Sequence, residues 1–366
     1  MAGKSKHYFA GGHTARGFYP LYDSNLQGLD RIYILLGGPG TGKSTFIQRT
    51  GETWLAKGYD LEWIHASSDN DAFDGVIIPE LKVGVVSGIV LRDLKPKAPG
   101  LIEKYVHLGS GLDTQKLARH KDAIVKLNQN IEQSYQAAYN AFATALRVHD
   151  EWERIYIENM QVDKANALIN ECVEMLLPKH PPKHPSSKTP TVKHRYLGAA
   201  TPKGAVDFIP NLTEDIEKRY FLKGRPGSGK STLLKRIARE AEARGLDVEM
   251  YHCGFDPNSI DMVIVKEAGF AIFDSTLPHE HFPERENDEI IDMYERVIRA
   301  GTDEQYEQQI RDVSSRYRAN MNEAISYLAQ AKQMNDELKS YYTDTMDFAY
   351  VDQIWHHIRD EMLKFT

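Results

Sequence analysis

Two stretches of the chain place a lysine and a hydroxyl at the end of a glycine-rich run. The first reads Gly37-Gly38-Pro39-Gly40-Thr41-Gly42-Lys43-Ser44-Thr45, the second Gly224-Arg225-Pro226-Gly227-Ser228-Gly229-Lys230-Ser231-Thr232. Both fit G-x-x-x-x-G-K-[ST], a spacing with a physical mechanism. Glycines let successive backbone N–H groups turn inward into a concave anion nest, where side chains would collide with phosphate. A helix starting at the lysine aims its unpaired N–H groups and partial positive charge at the same point. Lys43 or Lys230 would then reach the β- and γ-phosphates of a nucleoside triphosphate, and the Ser44 or Ser231 hydroxyl would ligate Mg²⁺. ATP and Mg²⁺ are the expected ligands, and Lys43 and Lys230 the expected catalytic cations.

Such a site also needs a carboxylate at the end of a neighbouring apolar strand, to hold the metal's water shell. Ala271-Ile272-Phe273-Asp274 supplies one, so Asp274 is the expected metal-shell and catalytic carboxylate; Gly84-Val85-Val86-Ser87 supplies none. The second loop is therefore expected to turn over ATP better than the first. Other candidates keep two readings open. His65 and His252 end a strand near the ligand edge of a parallel sheet or are satisfied core histidines. Asp69 and Asp256 position a substrate or are solvated loop residues. His279 and His281 suggest a metal or a phosphate contact, but Arg92 and Leu94 stand at the matching positions of the first stretch. Arg225 and Arg285 stabilise developing charge or lie on the surface.

The two loops belong to an internal repeat, the elements of which must position them. Lys43 and Lys230 are 187 positions apart, and the same offset maps His7, Gly11, Thr14, Gly17, Glu62, His65, Asp69 and Asp74 onto His194, Gly198, Thr201, Gly204, Glu249, His252, Asp256 and Asp261. Near the ends, Asp150-Glu151 and Met175-Leu176 match Asp336-Glu337 and Met362-Leu363 after a one-residue shift. A period this long is a duplicated domain: residues 1–177 and 194–366, joined by a proline-rich spacer at 178–193. His180 and His184 in the spacer are remote metal candidates.

Within each copy the expected order is a strand (Ile32–Leu36 or Tyr220–Leu222), the glycine loop, a helix from the lysine, and a second strand (Leu61–Ile64 or Val248–Tyr251). Next comes a segment with helical spacing (Phe73, Val76, Ile77, Leu81) that also admits a strand, being rich in β-branched residues. A third short apolar run follows. The expected class is α/β, a duplicated P-loop NTPase domain with a parallel sheet wound by helices. Each copy then carries a helical arm, over 112–177 and 287–366. Residues 112–177 and 302–366 contain neither Gly nor Pro, and Ile131, Tyr135, Ala138, Phe142 and Ala145 form a packing seam. A single helix over 112–177 would be about 99 Å long, so a hairpin or small bundle is expected instead.

The chain has 366 residues, Lys+Arg 45 and Asp+Glu 52. Residues 1–183 hold 21 of each sign, leaving 45 − 21 = 24 basic and 52 − 21 = 31 acidic groups in 184–366. That balance disfavours a general nucleic-acid binder. No apolar run is long enough to span a bilayer, the start lacks the apolar core of a signal peptide, and two Cys are too few for a disulfide framework. A cytoplasmic protein away from membranes is expected, with an intramolecular pseudo-dimer compatible with the duplication.

The segments HYFAGGHTARGFYPLYD…RIYILLGGPGTGKST and HRYLGAATPKG…RYFLKGRPGSGKST, together with DAFDGVIIPEL, resemble a family of tandem P-loop bacterial proteins described as predicted ATPases or nucleotide-kinase-like proteins. The resemblance implies ATP binding in the cytoplasm. Three activities remain open: hydrolysis of ATP, phosphoryl transfer to a nucleotide or other small acceptor, and nucleotide-gated scaffolding without rapid turnover.

Overall fold

Among the described residues, 3–177 and 189–365 of a computed structural model, twelve strands pair into one continuous sheet that crosses both copies of the repeat. The first copy contributes β1 (Ser5–Phe9), β2 (Arg31–Leu36), β3 (Leu61–His65), β4 (Phe73–Ile78), β5 (Val83–Ser87) and β6 (Glu103–His107). The second contributes β7 (Val192–Tyr196), β8 (Lys218–Lys223), β9 (Val248–His252), β10 (Ile260–Val265), β11 (Phe270–Asp274) and β12 (Glu289–Asp292). The order is β12-β8-β11-β10-β9-β7-β1-β3-β4-β5-β2-β6, so each half repeats the other outward from the middle. The spacer expected at 178–193, with His180 and His184, falls largely on residues 178–188, outside the described residues.

The sheet is mixed, which corrects the expectation of a parallel one. β4 runs antiparallel to both β3 and β5, and β10 to both β9 and β11, while the remaining pairs within each half are parallel. The connections explain it: only residues 66–72 and 79–82 link β3, β4 and β5. A parallel crossover needs a dozen residues or more, so these short links reverse the chain. The β-branched residues decide the segment after residue 72 as strand rather than helix, since Val76, Ile77 and Ile78 are buried in the sheet.

The halves meet where β1 pairs antiparallel with β7, Phe9 opposite Tyr196. These two are repeat equivalents (196 − 9 = 187), so the pair lies on a pseudo-twofold axis. One repeat position breaks the symmetry there. Arg195 stands where the first copy has Tyr8, fully buried, with its guanidinium 4.2 Å from the centre of the Tyr8 ring. It lies 2.6 Å from Glu62 Oε2 and 3.5 Å from Glu249 Oε2, two carboxylates that are themselves repeat equivalents. Burial alone would raise the Glu62 carboxyl; Arg195, aided by Lys193, outweighs it and holds the group below its ordinary range.

The helices divide into two kinds. α1 (Lys43–Ala56) and α4 (Lys230–Ala243) follow the glycine loops and pack on the sheet of their own half. The arms are α2 (Lys121–Glu158) with α3 (Val162–Leu176), and α5 (Glu307–Thr343) with α6 (Phe348–Met362). α2, at about 57 Å, and α5 pack antiparallel along the expected seam: Leu338 meets Ile124 and Leu127, and Leu328 meets Ala138 and Phe142. Each arm then crosses to the other half. Val351, Trp355, Ile358 and Met362 complete the core around Phe46, Ile47 and Trp54, and Trp355 Nε1 donates to Thr50 Oγ1 at 3.1 Å. Reciprocally, Leu168, Cys172, Val173 and Leu176 pack with Leu233, Leu234 and Ile237.

Candidate functional site

Both glycine loops sit at the C-terminal ends of β2 and β8, between strand and helix. Gly42 and Gly229 adopt φ of 87° and 91°, and Gly40 and Gly227 both 74°, the left-handed region where a side chain is strained. The chain thereby enters α1 and α4 with Lys43-Ser44-Thr45 and Lys230-Ser231-Thr232 in their first turns. Thr41 Oγ1 braces the first loop by donating to the Gly38 carbonyl at 2.9 Å. Lys43 Nζ folds over that loop and donates to the carbonyls of Gly37 and Gly38 at 2.8 and 2.6 Å. Burial pushes its ammonium down to about 8; the Lys339 charge adds to this and Asp74 opposes it. Lys230 Nζ donates to the Arg225 carbonyl at 3.1 Å and lies 3.6 Å from Asp274 Oδ2.

The two serines occupy matching places. Ser44 Oγ accepts from the Phe73 amide at 2.9 Å and Ser231 Oγ from the Ile260 amide at 3.0 Å, leaving each hydroxyl a second lone pair. The residue after each amide is an aspartate that the sequence reading placed in the repeat but not in the site: Asp74 and Asp261. Both are buried. Asp74 accepts from the Tyr22 hydroxyl at 2.7 Å, and burial pushes its carboxyl up to about 7, with Tyr22, Arg92 and Lys43 opposing. Asp261 is raised first by burial and then by the neighbouring Asp274 charge, with His279 and Lys230 among the groups opposing. The signal was their survival in both copies at a fixed distance after the loop serine.

At the strand end, β11 pairs with β8 so that Asp274 stands opposite Leu222, beside the loop; Ser87 stands opposite Leu35 in the same register. Asp274 Oδ1 accepts from the amide and hydroxyl of Thr276 at 3.1 and 2.7 Å. The second site thus brings together Lys230, Ser231, Asp261 and Asp274, the first Lys43, Ser44 and Asp74. A hydroxyl and carboxylates beside a glycine loop are the hard oxygen donors that suit Mg²⁺ with a polyphosphate.

The weaker candidates find other partners. His65 Nε2 lies 2.8 Å from His7 Nδ1, and His252 Nε2 2.8 Å from His194 Nδ1. Burial pushes His65 down to about 3 and His252 to about 4, so both are neutral members of a half-buried pair. His279 and His281 lie 3.2 and 3.0 Å from the two oxygens of Asp207. Arg225 pairs with Asp303 at 2.8 Å, and Arg285 donates to the carbonyls of Thr213 and Ile216. Asp256 pairs with Arg16 at 2.9 Å, reaching across from the other half.

The arms exchange between the copies, which the sequence did not indicate: each glycine loop is roofed by the opposite half. A Cβ on Gly38 would lie 2.6 Å from the Tyr342 ring, and one on Gly40 2.6 Å from the Lys339 carbonyl oxygen. A Cβ on Gly227 would lie 2.5 Å from the Glu153 carbonyl oxygen. No family model matches the chain, and no curated protein or solved structure matches it. What the fold defines is an α/β protein with one large mixed sheet and, among the described residues, no helix long and apolar enough to cross a membrane.

Proposed function

We propose that this chain is a duplicated P-loop nucleoside triphosphatase, related to the tandem P-loop proteins it resembles, that binds ATP at both glycine loops and hydrolyses it chiefly at the second. The observation that carries this reading is the placement of Asp274 3.6 Å from Lys230 at the end of the strand beside the loop, where the first site has Ser87. Loop amides and the N-terminus of α4 hold the triphosphate, Lys230 neutralises charge on its terminal oxygens, and Ser231 with Asp274 would hold Mg²⁺. Mg²⁺ when bound offsets charge on the β- and γ-phosphates and favours loss of the terminal group. The arm lies against the loop at Gly227, and the more water such a cover displaces, the stronger each of these interactions becomes. The first site has the loop, Lys43, Ser44 and the buried Asp74, a set suited to binding with slower turnover.

Steady-state ADP production, measured with Mg²⁺ and with or without a panel of nucleotide acceptors, tests this. Lys230→Ala and Asp274→Asn are each expected to lower acceptor-independent turnover about 100-fold or more, and Lys43→Ala to leave most of it. Turnover that survives Lys230→Ala and vanishes in Lys43→Ala contradicts the assignment. ADP release that requires an acceptor would make the protein a kinase instead.

A further inference from the structure

The exchanged arms put different charges on the two loops. Lys339 on α5 and Glu153 on α2 are structural equivalents, each laying its carbonyl on the loop apex of the opposite half, at Gly40 and Gly227. The first loop therefore receives a lysine where the second receives a carboxylate. Lys339 Nζ lies 2.5 Å from Asp69 Oδ2, and Lys332 Nζ lies 3.6 Å from the same oxygen. Asp69 is 7 % exposed; burial would raise its carboxyl, but bonded Lys339, with the Asp71 amide and Lys332, brings it below its ordinary range. Asp69 belongs to the β3–β4 connection, which leads into Phe73, the first residue of β4, whose amide donates to Ser44 Oγ. The Lys339 backbone thus lies on the loop apex while its ammonium is held on the connection that leads to Ser44's partner Phe73, and after burial its charge is the next influence lowering Lys43. The side chain is a third exposed, on a flexible four-carbon stem that can exchange one anionic partner for another.

We propose that Lys339 is a phosphate-binding residue of the first site, delivered by the other half of the chain and resting on Asp69 until a nucleoside triphosphate supplies a stronger anion. This rests on the reading of Gly37–Thr45 as a nucleotide loop. It names the ligand that site selects: a triphosphate over a diphosphate. A lysine added on the side of Ser44 gains a partner only when the terminal phosphate is present. The first loop thus has an added cation, Lys339, and lacks the strand-end carboxylate that Asp274 gives the second.

The test is nucleotide binding by full-length chains carrying Lys230→Ala, which leaves the first loop alone to be read, titrated with Mg·ATP and Mg·ADP. Adding Lys339→Gln is expected to weaken ATP about tenfold or more while ADP shifts less than about threefold, and Lys339→Arg to keep most of the preference. Asp69→Asn breaks the same ion pair yet leaves the lysine free, so ATP affinity is expected to hold or rise. Unchanged ATP binding in Lys339→Gln overturns the proposal. So does equal loss of ATP and ADP in both Lys339→Gln and Asp69→Asn, which would mean that the ion pair only fixes the arm. If the Lys230→Ala parent binds neither nucleotide and Lys43→Ala changes nothing, the loop reading itself falls and the proposal with it.

Discussion

Arg195 has Glu62 and Glu249 on either side and Tyr8 beneath it, with no solvent-exposed surface. A buried charge of this kind stabilises through its partners, and removing it leaves two carboxylates without a counter-charge. Arg195→Met is expected to cost about 3–5 kcal/mol at pH 7, read as a drop in the urea midpoint. The pH dependence has a definite sign. Glu62 is held below its ordinary 4.5, so the stability it contributes is complete above that value and is lost as pH falls through the lowered folded value. Wild type and Arg195→Met should therefore converge as pH drops below about 4.5, and a constant gap would show that the pairing is not what was removed. The sequence held half of this arrangement. Glu62 and Glu249 fall on one another in the repeat, but nothing in one dimension says that Tyr8 and Arg195 face each other across an axis.

At the scale of elements, the loop-helix units and most strands were legible because their residues are locally decisive. Gly42 and Gly229 can enter a left-handed turn, and Val83–Ser87 and Phe270–Asp274 are short apolar runs of strand length that form buried strands. β4 and β10 were ambiguous, since their apolar positions satisfy both periods; their β-branched residues settled them as strands, and the short links set their direction. Helix and strand also constrain each other across copies. Gly51 lies inside α1 because a Cβ there would stand 2.1 Å from the Trp63 ring, whereas the second copy has Ala238 with Met250 at the matching positions. Gly51→Ala, which in an open helix would stabilise, is expected to cost about 1–3 kcal/mol by overpacking. Gly51→Ala with Trp63→Met should recover much of that loss, since it rebuilds the second copy's pair. Additive losses in the urea midpoints of the two single variants and the double would refute the coupling.

At the scale of the whole molecule, the duplication serves one purpose that neither copy meets alone: each half roofs the other's glycine loop. The seam Ile131–Ala145 announced that α2 buries a face, yet a periodicity names no partner, so the exchange of arms was not readable from it. Charge told more than it seemed to. The surplus of carboxylates in residues 184–366 includes Asp274, near Lys230 and unmatched in the first copy, while Lys339 from that same half is sent to the first loop. Two sites built on one plan thereby acquire unlike surroundings, which is the basis for assigning turnover to the second and triphosphate selection to the first. The claim beneath both assignments is that each glycine loop is a nucleotide site. Titration calorimetry with Mg²⁺ and a non-hydrolysable ATP analogue measures it most directly. The account predicts two analogue molecules per chain, one after either Lys43→Ala or Lys230→Ala, and none in the double variant. Binding that persists undiminished in the double variant, or no binding to the wild-type chain, would contradict it.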